Sequence, residues 1–150
     1  PLLPDEESMW KEHLRKRLKV DEGLKLRSYK DTVGVWTIGW GHTRGVEQNQ
    51  LIGMHDAESF LASDIEEAIT AARKVFINFN DLSGPRKAVL TNMAFNLGET
   101  RLRSFKKLIA AVVAEDFSKA SLEMLDSKWA VQVGQRAKRL AKSMSENVYV

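Results

Sequence analysis

Between residues 26 and 40 the hydrophobic period of the chain changes from about four to two, and it changes back within the next fifteen residues. Leu26 to Lys30 and Val35 to Trp40 carry the β-branched and aromatic residues Tyr29, Val35, Trp36, Thr37, Ile38 and Trp40, and Asp31-Thr32-Val33-Gly34 joins the two stretches. That pattern reads as a hairpin, with a further short strand or loop over 42 to 52. Two or three strands this short need a helix to lean on. The remainder of the chain is at helical period. The fold class expected is α+β, with a small sheet set to one side of a larger helical body.

Residues 5 to 20 place Trp10, Leu14 and Leu18 on one stripe with bases opposite, and Ser8 or Asp5 is positioned to cap the start. Gly23 suits the residue just past the last turn, which puts Glu22 at the negative end of the helix dipole, a setting that suits a proton donor. Residues 54 to 76 form the strongest helix, with Ala57, Phe60, Leu61, Ile65, Ala68, Ile69, Ala72, Val75 and Phe76 recurring at three and four. At a rise of about 1.5 Å per residue it spans roughly 30 Å, enough to connect two lobes. Ser83 and Pro85 open the next helix. That helix is apolar nearly all round from Ala88 to Leu97, as a buried helix is, and Gly98 ends it. Shorter helical patterns cover about 105–114, 117–125 and 136–144. The organisation expected is one domain over 1–150. It comprises a lobe with the sheet at about 22–53, a connecting helix at about 54–76, and a helical lobe at about 77–150 that takes in the N-terminal helix.

Composition narrows the partners. A chain of 150 residues can bury about 70% of its unfolded surface without staples, and with no cysteine it has no disulfide or thiol chemistry. Lys plus Arg number 23 against 20 Asp plus Glu, a formal charge of +3. The bases cluster at 11–30, 101–107 and 128–142, the acids at 56–67. Such a surface favours an anionic partner: nucleic acid, a membrane face or an acidic wall polymer. The acidic stretch Pro-Leu-Leu-Pro-Asp-Glu-Glu lacks the apolar run of a signal peptide, so no secretory signal is expected in it. No window reaches the ~20 apolar residues of a membrane helix, so membrane insertion is not expected.

Two acids stand out by placement, Glu22 at a helix end and Asp31 at the tip of the hairpin, with Thr37 following. Most acids in a charged chain are surface residues. Two carboxylates held across a gap are also the minimal equipment for cleaving a glycosidic bond. His13, His42 and His55 form no metal-ligand motif, so no metal and no cofactor are expected. Gly39-Trp40-Gly41 reads as tight strand and turn geometry. Trp36, Trp40, Phe95 and Trp129 are aromatics of core spacing that could also stack on sugar rings.

The spacing Glu22, Asp31, Thr37 sits within Asp-Glu-Gly-Leu-Lys-Leu-Arg-Ser-Tyr-Lys-Asp-Thr and Trp-Thr-Ile-Gly-Trp-Gly-His. This segment resembles the active-site stretch of the T-even-type phage lysozymes, glycoside hydrolase family 24. The likeness continues through Asn92-Met93-Ala94-Phe95-Asn96-Leu97-Gly98-Glu99-Thr100, then Ser127-Lys128-Trp129, Gln132 and Arg136-Ala137-Lys138-Arg139. It covers roughly residues 12 to 142. The resemblance implies a lysozyme-like fold and a muramidase that cleaves the β-1,4 bond between N-acetylmuramic acid and N-acetylglucosamine with inversion. It implies Glu22 as general acid, and Asp31 with Thr37 as the holders of the attacking water. Phe95 and Gln132 match cleft positions, and Leu108 and Glu123 stand where relatives carry small polar glycan-contacting side chains. Arg136 matches an arginine that approaches the catalytic glutamate, and His42 with Asp64 matches a structural acid–histidine pair. The expected protein is a monomeric phage endolysin acting on peptidoglycan glycan strands, not on nucleic acid. It would be made in the host cytoplasm and admitted to the periplasm and wall by a separate holin. A tail-associated lysozyme is a variant of that reading. The rivals are a lytic transglycosylase, which needs one acid and leaves an anhydro sugar, and a non-catalytic basic module that binds the wall or nucleic acid.

Overall fold

A computed structural model describes residues 2–150 and resolves them into two compact units, residues 15–67 and residues 2–14 with 68–150. The architecture is mostly helical with a single two-stranded antiparallel sheet, the α+β class read from the sequence.

In the first unit, helix α1 (Pro4–Glu22) arrives with Leu18 buried and ends at Gly23, whose φ of +69° lets its N–H return to the Lys19 carbonyl at 3.0 Å. Ser8 lies inside α1 rather than at its start, because the helix begins earlier, at Pro4. Strands β1 (Lys25–Lys30) and β2 (Trp36–Gly39) follow, with Tyr29 opposite Thr37 and Lys30 opposite Trp36. The stretch 42–52 adds no full strand; it contributes single bridges, Arg27 to Leu51 and Ile38 to His42. Helix α2 (Met54–Val75) buries Ala57, Leu61 and Ile65. The α1 and α2 segments of this unit are tied by Glu58, which accepts from Lys19 at 2.6 Å and also pairs with Arg15. Lys19 Nζ lies 4.5 Å over the Trp40 ring as well.

In the second unit a 3-10 turn (Phe79–Asp81) precedes α3 (Gly84–Arg103), capped by Ser83. Ala88 to Ala94 of α3 are buried without interruption. Gly98, at φ +79° and ψ +165°, is not helical, so it ends the helix capped by Ser83 as the sequence predicts, and a short second helical segment runs on to Arg103. Helices α4 (Lys106–Val113), α5 (Phe117–Leu125), α6 (Lys128–Val133) and α7 (Gln135–Glu146) complete the bundle. The short α6 and the 3-10 turn are additions to the sequence reading. At six and three residues they are too short to establish a period. Trp10 packs edge-on against Phe79 at 6.2 Å, and its indole N–H donates to Glu7, which in turn accepts from the buried Lys87 at 2.7 Å. Among the described residues no helix is long and apolar enough to cross a membrane.

Candidate active site

The unit 15–67 contains Glu22, Asp31, Thr37, His42 and Asp64. Glu22 is the last residue of α1 and half-buried. Asp31 sits where β1 turns toward β2, and its side chain organises the turn. Asp31 Oδ1 accepts from the main-chain N–H of Val33 at 3.0 Å and of Val35 at 2.8 Å, the pattern of an aspartate that mimics a backbone turn. The Asp31 N–H in turn donates to the Val35 carbonyl at 2.9 Å. Thr37 is 4% exposed, and its hydroxyl donates to that same carbonyl at 3.0 Å. One residue, Val35, therefore fixes both the carboxylate and the hydroxyl through its main chain.

Tyr29 is a direct cross-strand partner of Thr37, so the two side chains leave the same face of the hairpin. Its phenol is pushed above the usual tyrosine range, first by burial and then by the negative charges of Glu22 and Asp31. Both carboxyls therefore lie within electrostatic reach of one hydroxyl. Side-chain pattern alone does not mark Tyr29; the signal available in the sequence is its place in the strand that pairs with the one carrying Thr37.

His42 Nδ1 is 2.8 Å from Asp64 Oδ2, and its ring stacks on Phe60 at 4.1 Å and 8°. Burial pushes the Asp64 carboxyl above the usual carboxylate range against the opposing pull of His42. Half-buried on an otherwise apolar helix stripe, an acid needs such a partner.

The remaining residues singled out from the sequence belong to the helical unit. Phe95 is half-buried on α3, and Gln132 is exposed on α6. Leu108 is 1% exposed, and with Glu123 it lines a cavity of about 500 Å³ that also takes in Arg101, Lys107, Lys128 and Trp129. Arg136 is buried and its Nε donates to Asn92 at 3.0 Å. Trp129, buried, donates to Asn96 at 2.7 Å. Among the described residues no group of three or more acids, histidines or cysteines is placed to hold a metal ion.

A small hairpin carrying acid and hydroxyl, a long helix and a helical bundle make the lysozyme-like architecture of a glycoside hydrolase. Residues 19–145 match the phage lysozyme family, and the chain belongs to it. It is a peptidoglycan-hydrolysing lysozyme of the T4 type, in glycoside hydrolase family 24. The chain is 30% identical to the probable T4-type lysozyme 2 of Dictyostelium discoideum, over 85% of this chain and 90% of that protein. It is 32% identical to the endolysin of Acyrthosiphon pisum secondary endosymbiont phage 1, over 75% and 73%. It is also 30% identical to the pre-baseplate central spike protein Gp5 of Enterobacteria phage T4, over 82% of this chain but 26% of that protein.

Proposed function

We propose that residues 1–150 act as one muramidase domain that cleaves the β-1,4 bond between N-acetylmuramic acid and N-acetylglucosamine with inversion at the anomeric carbon. Glu22 is the general acid. Its carboxyl proton goes to the glycosidic oxygen as the C1–O bond breaks, and the bonding pair leaves with that oxygen. A water held by Asp31 and Thr37 attacks C1 from the opposite sugar face and gives its proton to Asp31. The supporting side chains are Arg136, His42 and Asp64. Phe95 and Gln132 line the glycan path, where Leu108 and Glu123 alter the sugar subsites.

The observation that carries this reading is the hydrogen bonding at Val35. The Thr37 hydrogen is committed to the Val35 carbonyl, so the hydroxyl oxygen meets a water as an acceptor. Asp31 Oδ1 is held by two amides, which orients Oδ2 as the second acceptor. A water donating one hydrogen to each acceptor points a lone pair in a third direction, as nucleophilic attack requires. A transglycosylase has no use for that arrangement.

In biological use the protein is a monomeric endolysin that reaches the wall once a holin has opened the membrane. The endolysin relative supports this use, and the spike-protein relative supports the virion-bound variant. The test is digestion of purified peptidoglycan, with mass spectrometry of the products. Hydrolysis leaves reducing muramic acid ends, and anhydro ends would overturn the hydrolase reading. Glu22→Gln should abolish clearing of permeabilised Gram-negative cells, whereas clearing at the wild-type rate would remove Glu22 from the role of acid.

A further inference from the structure

The Glu22 side chain rests against main chain. A Cβ added to Gly41 would fall 2.5 Å from Glu22 Oε1, 3.0 Å from Cδ and 3.2 Å from Cγ. At Gly23, Gly34, Gly45 and Gly53 of the same unit an added Cβ meets nothing within 4 Å. The backbone at position 41 has little freedom to retreat. Ile38 and His42 exchange reciprocal main-chain hydrogen bonds of 2.9 Å across it, and His42 is held by Asp64 and by the Phe60 ring. Gly41 itself stands at φ +75°, where L residues are strained.

We infer that Gly41 is a positioning residue for the general acid: its bare Cα is the stop against which the Glu22 carboxyl is set. The inference rests on the reading of Glu22 given above. The wall is pinned while the contacted oxygen is the far end of a flexible side chain, so a Cβ at 41 moves the acid and leaves the fold in place. Restoring ordinary contact distance takes a shift of about 1 Å, and a displacement of that size costs about 100-fold in rate. The His42–Asp64 pair acts through the same wall, by holding the residue next to it.

The test compares Gly41→Ala with Gly45→Ala on a soluble peptidoglycan oligomer. Gly45 has φ +71° and open space around it, so its alanine variant carries similar backbone strain without touching Glu22. Gly45→Ala should keep wild-type kcat, and Gly41→Ala should lose about 100-fold in kcat at unchanged KM. A second arm uses Glu22→Asp, which draws the carboxyl back by one methylene. Adding Gly41→Ala to that background should cost little further, a non-additivity expected only of groups in contact. If Gly41→Ala alone fails to fold, recovery of folding in the double variant supports the contact, and failure of both variants overturns the inference. Activity of Gly41→Ala equal to that of Gly45→Ala would overturn it, as would a full 100-fold loss repeated on the Glu22→Asp background. Glu22→Gln measured alongside separates the two readings. If it is active, the general acid itself is wrong. If it is inactive while Gly41→Ala matches Gly45→Ala, only the role of Gly41 falls.

Discussion

Asp31 and Val35 are bonded to each other twice, by the Asp31 N–H to the Val35 carbonyl at 2.9 Å and by the Val35 N–H to Asp31 Oδ1 at 2.8 Å. The side chain proposed as base thus closes the turn that carries it. A carboxylate held this way loses little freedom when water and substrate arrive, the preorganisation that catalytic groups need.

Thr37 shares the Val35 carbonyl, and its hydroxyl gives the clearest separation of chemistry from stability. Thr37→Val keeps the shape and leaves the carbonyl bonded to the Asp31 amide, so stability should change by no more than about 1 kcal/mol. Activity should fall about 100-fold for lack of the second water acceptor, and Thr37→Ser should retain most of it. Steady-state rates beside denaturant melts check this. A fully active Thr37→Val would remove the hydroxyl from the mechanism.

The chain has 2 tyrosines, and both phenols are raised above 10.0 in the folded state, each first by burial. The charges of Glu22 and Asp31 add to the shift at Tyr29, those of Glu6 and Glu7 at Tyr149. A folded pKa above the unfolded one means stability is intact below about 10 and is lost as pH rises through the folded values. Ultraviolet titration should therefore show tyrosinate appearing later in the native protein than in the denatured chain. Neutralising the acids with Glu22→Gln or Asp31→Asn should bring part of the native curve to lower pH. An unmoved curve in both variants would place the two carboxyls away from Tyr29.

At acid pH the sign reverses for Glu7. Burial raises its pKa, but the hydrogen bonds from Lys87 and Trp10 and the charges of Lys87 and Lys11 outweigh burial and leave it below 4.5. Its contribution is present above that value and is lost as pH falls through the lower folded pKa. Lys87→Met keeps the volume and removes the partner. Denaturant midpoints measured from about pH 6 down to about pH 3 should fall less steeply for Lys87→Met than for wild type. Parallel slopes would mean the ion pair contributes nothing to the acid limb.

Much of the fold is legible because the period of the side chains changes where the structure changes. The β-branched and aromatic stretches from Leu26 to Trp40 become β1 and β2, and the apolar stripe from Ala57 to Val75 becomes the inner face of α2, residues Met54–Val75. What escapes is short or made of main chain. Helix α6 has too few residues to show a period, and Ser8 resembles a cap only if the helix start is unknown. The candidate site follows the same division. Glu22, Asp31 and Thr37 are visible as residue types at a spacing. The double role of the Val35 peptide and the closeness of Gly41 to Glu22 belong to backbone geometry, which side-chain pattern does not encode.

The most direct measurement is the anomeric configuration of the first product, followed by proton NMR during the opening minutes of digestion before mutarotation. A water activated by Asp31 and Thr37 attacks from the face opposite the leaving sugar, so the new reducing end should appear first as the α anomer. Initial appearance of the β anomer would make Asp31 a covalent nucleophile and contradict the account.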